Sequence, residues 1–132
     1  MFQKSFAVGA LMAATASFAP LPSAAADTGA EITTAATHAG LAAEATDIAT
    51  VHAHLHHTVN CLAGPGGTGF DAKELNPCAN QGSGAIPDST SASTKHVLQA
   101  ALASAESGIT ATDLAAAQKA ASATEATLKT AK

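Results

Sequence analysis

The chain has 132 residues, a formal net charge of −4 and only 3% aromatic residues. Ten acidic residues and the absence of arginine exclude a basic surface of the kind that nucleic acids and anionic membranes require. Phe70 is the only aromatic residue after position 26, so recognition by stacking on aromatic rings is also excluded. For the same reason we expect no haem, and the glycine-rich segment lacks the Lys-Ser/Thr that a nucleotide phosphate site needs.

The first 26 residues are predicted to form a secretory signal peptide. Lys4 supplies a positive charge, residues 6–19 are apolar, and Ala24-Ala25-Ala26 offers the small residues of a cleavage site. The apolar run has about 14 residues, whereas a membrane-spanning helix needs about 20. We therefore expect cleavage after residue 26, with a retained anchor as the alternative. Residues 27–132 would then be a single periplasmic or secreted domain with no membrane segment.

A long helix is predicted over about 33–62, after a frayed leader at 27–32. No proline interrupts this stretch, and Gly40 is the position where the helix is expected to bend or break. The apolar residues recur at helical spacings of three and four: Leu41, Ala45, Ile48, Val51, Leu55, Val59 and Leu62. Glu44 falls within this apolar stripe, so its carboxylate is either exposed at that level or bound to a metal.

The second half of the chain predicts a long loop and two shorter helices. Glycine and proline exclude a regular helix from most of 63–90. Helices are predicted over about 91–107 and 112–130, with Gly108 as a helix-stop residue between them. Their short connection favours antiparallel packing. Since no strand candidate appears, the predicted fold class is all-α, a small antiparallel helical bundle with three main helices.

Cys61 and Cys78 are the only cysteines. In an exported protein such a pair usually forms a disulfide, which here would tie the glycine-rich loop to the end of the long helix. The alternative is a pair of metal-bound thiolates, which would require both thiols to stay reduced. We favour the disulfide because of the compartment.

Four of the six histidines lie within six residues, in the segment His52-Ala53-His54-Leu55-His56-His57. Histidine is the commonest metal ligand, so the segment predicts a metal site. His52 and His56 are the expected nucleus, because residues four apart on a helix present both imidazoles on one face. His54 and His57 come second. Binding should weaken as the pH falls through about 6.5, where imidazole takes up a proton.

Two ligands make a weak site, and a further ligand must come from elsewhere in the chain. Glu44 and His96 are the candidates, although His96 is predicted to face solvent. His38 is excluded on the assumption of one straight helix, because 14 residues separate it from His52 and the rise would be about 21 Å.

The segment HLHHTVNCL, the Asn76-Pro77-Cys78 sequence and the later Gly84-Ala85-Ile86-Pro87-Asp88 sequence together resemble a group of small exported bacterial proteins without an assigned activity. The resemblance covers about residues 38–132 and implies no mechanism. More loosely, an alanine-rich bundle carrying histidines is similar to small periplasmic metal-binding proteins that form four-helix bundles. Those proteins carry histidines on every helix, whereas His96 is the only histidine on the last two predicted helices.

Three classes of function remain for this sequence. The first is binding of a divalent transition metal, copper, nickel or zinc, all of which accept imidazole ligands. The second is a non-catalytic structural or protein-interaction module whose histidines are solvated and pH-sensitive, with a protein partner that the sequence does not identify. The third, an enzyme, is not expected, because the chain contains no nucleophile elbow, HExxH motif or phosphate-binding loop.

Overall fold

The computed structural model describes residues 25–131 of the chain. The predicted signal peptide lies outside the described residues, apart from Ala25 and Ala26. None of the described helices is both long enough and apolar enough to cross a membrane. Residues 25–131 form the following helices and contain no strand: α1 (Thr28–Glu44), α2 (Ile48–Ala63), α3 (Ala85–Asp88), α4 (Ala92–Thr110) and α5 (Leu114–Lys129).

The four long helices form an up-down-up-down bundle. Helix α1 packs against α2 and α5, and α4 packs against α5 and α2, so each long helix has two neighbours in a closed ring. Three-residue connections join α1 to α2 and α4 to α5, which makes both pairs antiparallel. The predicted all-α antiparallel bundle with a disulfide-stapled loop is therefore confirmed, with four long helices in place of the predicted three.

The single helix predicted over 33–62 is wrong, because the chain reverses direction at residues 45–47. Ala45 is extended at the end of α1, and Asp47 is the N-cap of α2. The Asp47 carboxylate accepts hydrogen bonds from the Thr50 backbone N–H at 2.9 Å and from the Thr50 hydroxyl at 2.7 Å. Such a cap satisfies backbone donors that have no partner inside the helix and stabilises a new helix start. Gly40, the expected weak point, lies inside α1.

Two further boundaries differ from the prediction for identifiable reasons. Residues 28–32 are helical because the Asp27 carboxylate accepts a hydrogen bond from Ala30 N–H at 2.9 Å, and Asp27 N–H donates to the Gln81 carbonyl at 2.7 Å. Gly108 lies inside α4, which continues to Thr110. The missing side chain of Gly108 leaves space for Leu55, with which a side chain at 108 would collide.

The core is built mainly from alanine and leucine in two adjoining clusters. One contains Ile32, Leu62, Leu98 and Leu128 beside the disulfide, and the other contains Val51, Leu55, Val59 and several alanines. Each alanine methyl buries little apolar surface, so stability depends on close approach of the helices and on the disulfide. Leu41, expected in the apolar stripe, is 43% exposed because Ala35, Ala39 and Ala42 form the buried face of α1 and Leu41 lies off that face.

The loop between α2 and α3 is attached to the last turns of α2 at two consecutive positions. The buried Asn60 side chain donates to the carbonyls of Asp71, Glu74 and Leu75, and its own carbonyl accepts from Asp71 N–H. The next residue, Cys61, forms the predicted disulfide with Cys78. The loop returns to the end of α2 at Gly64, which has a positive φ of 67°. A side chain at this position would also collide with the Ser83 carbonyl, so both features require glycine.

A buried acid lies where α1 meets the returning loop. Glu31 is completely buried; its Oε1 atom accepts a hydrogen bond from Gly84 N–H at 2.8 Å, whereas its Oε2 atom has no partner. Burial raises the pKa of Glu31, the Gly84 hydrogen bond opposes this, and the neighbouring Asp88 and Asp27 carboxylates raise it further. A proton on the Glu31 carboxyl would allow this group to donate a hydrogen bond to the Asp88 carboxylate.

The variant Glu31→Gln should therefore stabilise the protein at neutral pH. The unfolded chain loses this proton near the ordinary pKa of 4.5, whereas the folded chain keeps it to higher pH, so the free energy of unfolding falls as the pH rises above 4.5. Glutamine removes that loss and should raise the free energy of unfolding at pH 7 by on the order of 1 kcal/mol. Urea unfolding at several pH values measures it. The exposed Glu44→Gln is the matched control, and equal effects of both variants would contradict the assignment.

Candidate metal site

Three histidines from two helices meet on one side of the bundle. The turn at 45–47 folds α2 back along α1, so that His38 on α1 lies opposite His54 and His57 on α2. One ring nitrogen from each of these residues lies within 4.8 Å of those of the other two. All three side chains are partly buried. We call His38, His54 and His57 the histidine triad.

The rings of the histidine triad are packed together without stacking face to face. Their centroids are 5.0 Å apart for His38 and His57, 5.4 Å for His38 and His54, and 5.5 Å for His54 and His57. His57 is nearly perpendicular to both other rings. The Nδ1 atoms of His38 and His54 are 3.2 Å apart, and the buried Nδ1 atom of His57 has no hydrogen-bond partner. Ring nitrogens of the triad therefore lie close to one another, and the Nδ1 atom of His57 has no hydrogen bond that would prevent it from binding a metal ion.

The structure does not bring together the pair that sequence reasoning placed first. His52 is directed toward the connection between α4 and α5, where its Nε2 atom lies 3.0 Å from the Ala111 carbonyl oxygen. His56 has a buried Nδ1 atom without a partner. Neither residue belongs to a group of three possible ligands within residues 25–131. His54 and His57, which came second in the prediction, are members of the triad.

The exclusion of His38 was wrong, because it assumed one continuous helix. With two antiparallel helices, the separation along the sequence no longer sets the separation in space. The signal that could have corrected it is Asp47, a residue that favours the N-cap, followed three positions later by Thr50. A helix start at this point predicts a hairpin that places His38 beside α2.

The other candidate ligands lie outside the triad. Glu44 is exposed at the end of α1, which agrees with the simpler of its two interpretations, and His96 is exposed on α4 as predicted. Cys61 is joined to Cys78, so neither sulfur is available as a thiolate. Within the described part of the chain, no further histidine, cysteine or acid joins the triad as a fourth possible ligand.

The surroundings of the triad favour uncharged imidazole. The pKa of His38 is lowered from 6.5 to about 4, chiefly by burial and additionally by charge repulsion from the neighbouring His57 and His54 rings. Burial also lowers the pKa of His57; His54 and His56 act in the same direction, whereas the Glu74 carboxylate opposes them. Neutral imidazole is the form that binds a metal ion. Two of the three rings are thus held in the form that can coordinate at neutral and mildly acidic pH.

Comparison with known protein families, curated proteins and solved structures finds no match. The resemblance of the HLHH and Asn-Pro-Cys segments to small exported bacterial proteins therefore stays a prediction. What the site does has to be argued from its own geometry.

The low pKa of His38 can be tested directly. We expect the ring of His38 to titrate near pH 4 in the folded protein, because proton uptake would place a charge in a partly buried site beside two other imidazoles. Histidine-edited NMR over the range from pH 3.5 to pH 8 measures it, with His38→Gln to assign the signal. His57→Ala should raise this pKa toward 6.5, since it removes a neighbouring positive charge and opens the site to water. Titration of His38 near 6.5 in the parent protein would contradict the structure.

Proposed function

We propose that this protein binds a divalent transition metal ion through His38, His54 and His57. The observation that carries the proposal is the convergence of three ring nitrogens within 4.8 Å, supplied by two helices that a capped turn holds side by side. Imidazole suits Cu(II), Ni(II) and Zn(II), and the general order of affinities favours copper among them. The proposed role is binding rather than catalysis.

The distances in the triad support coordination. Two nitrogens bound to one tetrahedral zinc ion at 2.0–2.1 Å are about 3.3 Å apart. The Nδ1 atoms of His38 and His54 already stand 3.2 Å apart. A modest movement of the His57 ring would complete a three-nitrogen set, because its Nδ1 atom has no hydrogen bond to give up.

The number of ligands favours an exchangeable ion over a structural one. Structural zinc sites usually have four protein ligands, whereas three histidines leave a position for water or another small ligand. The apolar core connects the helices, and the Cys61–Cys78 disulfide connects the loop to α2. A reversible carrier or buffer of metal ions outside the cytoplasm is the role that fits these features.

The competing function is a structural or interaction module, and one distance favours it. The 3.2 Å between the Nδ1 atoms of His38 and His54 also suits an N–H···N hydrogen bond, with one ring as donor and the other as acceptor. In that case the triad is a polar contact that fixes α1 against α2. Metal titration separates the two functions, because the hydrogen bond requires no ion.

Variants of the triad should lose metal affinity. We expect His38→Ala and His57→Ala each to weaken binding of Ni(II) and Zn(II) by at least tenfold, or about 1.4 kcal/mol. The exposed His96→Ala is the matched control and should have no effect. Calorimetric titration at pH 7.5 with protein lacking residues 1–26 measures the constants, and circular dichroism checks that each variant is folded.

The same titration includes the pair that the sequence placed first. His52→Ala combined with His56→Ala should leave most of the affinity in place, because neither residue joins the triad. If this double variant loses the affinity and His38→Ala keeps it, the metal site lies elsewhere on α2. Absence of binding by the parent protein would leave the interaction module as the supported function.

Export is the remaining part of the proposal. The Cys61–Cys78 disulfide supports an oxidising compartment. Protein expressed from the full-length gene should appear in the periplasmic or culture fraction with a mass that begins at Asp27. Thiol titration of that material under denaturing, non-reducing conditions should find no free thiol. A mass that still includes residues 1–26 would contradict cleavage, and two free thiols would contradict the disulfide.

A further inference from the structure

A second site with different chemistry lies where the glycine-rich loop meets α3 and α4. A half-open cleft of about 710 Å³ is lined mostly by apolar surface, a volume within the roughly 300–1,000 Å³ of small-molecule sites. Ala63 at the end of α2 and the loop segments 65–68 and 82–83 form one wall, Ile86 and Pro87 of α3 form the end, and α4 forms the other wall. None of the triad histidines lines this cleft.

The face of α4 that lines the cleft changes character along its length. Lys95, Gln99 and Leu102 follow one another at spacings of four and three, so they lie on one stripe of the helix. The stripe begins with an ammonium group, continues with an amide and ends with an aliphatic side chain. From the first to the last it spans about 10 Å.

Lys95 is a cation without a partner in the part of the chain that the structure describes. The ion pair in residues 25–131 joins Lys129 to Glu125, on a different helix. Asp88, at the end of α3 beside the loop wall, accepts a hydrogen bond from Ser83 N–H at 2.6 Å. The half-buried Lys95 side chain lies beside apolar surface, and its ammonium group is therefore available to an anion from outside the chain.

We propose that this cleft binds a small anionic amphiphile, a monocarboxylate that carries an unbranched apolar chain. The carboxylate would pair with the Lys95 ammonium group and accept a hydrogen bond from the Gln99 amide. The apolar chain would lie along Ile86 and Leu102. The positive charge of Lys95 selects an anionic head group at this position. Elsewhere the protein, with its net charge of −4, repels anions. This site is independent of the proposed metal site.

Three probes with the same chain length and different head groups test the proposal: octanoate, octan-1-ol and octylammonium. We expect octanoate to bind most tightly, with NMR shift changes confined to the cleft residues. Non-specific association with an acidic protein would favour octylammonium instead. Equal binding of octanoate and octylammonium, or shift changes spread over the surface, would overturn the proposal.

Two variants separate the roles of charge and shape. Lys95→Gln should weaken octanoate binding at least tenfold and leave octan-1-ol binding unchanged. Gly66→Leu should abolish binding of both probes, because Gly66 lines the cleft, a Cβ there meets no atom within 4 Å, and the larger side chain would compete with the probes for that space. Lys119→Gln, at an exposed position on α5, is the matched control. Octanoate binding that survives both Lys95→Gln and Gly66→Leu would overturn the site.

Discussion

The arrangement of the candidate metal site depends on the capped turn between α1 and α2. The Asp47 carboxylate holds the Thr50 backbone N–H and hydroxyl, which starts a new helix after only three residues. That turn makes α1 and α2 antiparallel neighbours, so that the Thr58 hydroxyl lies 3.3 Å from the Ala35 carbonyl and His38 faces His54. A continuous helix would separate His38 from His52 by about 21 Å and leave no three-histidine site.

A second constraint fixes the opposite end of α2. Asn60 and Cys61 are consecutive, and they attach the loop through hydrogen bonds and a covalent bond respectively. A loop of this length is usually mobile or functional in a small domain. Here its attachment builds one wall of the apolar cleft and brings Glu74 close enough to affect His57. The same segment of α2 thus supports both proposed sites.

Burial acts in opposite directions on the pKa values of Glu31 and His38. It raises the pKa of Glu31 and lowers that of His38, so in each case it disfavours the charged form. Between pH 4.5 and 6.5, acidification lowers the free energy of unfolding through His38, since the unfolded chain takes up that proton first. Over the same range it raises the free energy of unfolding through Glu31.

The sequence by itself determined the helical class, the position of the loop, the disulfide and the segment that carries the chemistry. Each of these depends on local patterns: apolar residues three and four apart, glycine and proline between them, and two cysteines in the whole chain. The tertiary structure alone decided which histidines meet. His52 and His56 are neighbours on one helix, yet His52 faces the Ala111 carbonyl, whereas His38 reaches His54 and His57 only because the chain reverses at Asp47. Ligands that converge across two helices depend on packing and on the turn that permits it, and the spacing of the histidines along the sequence does not show which of them meet.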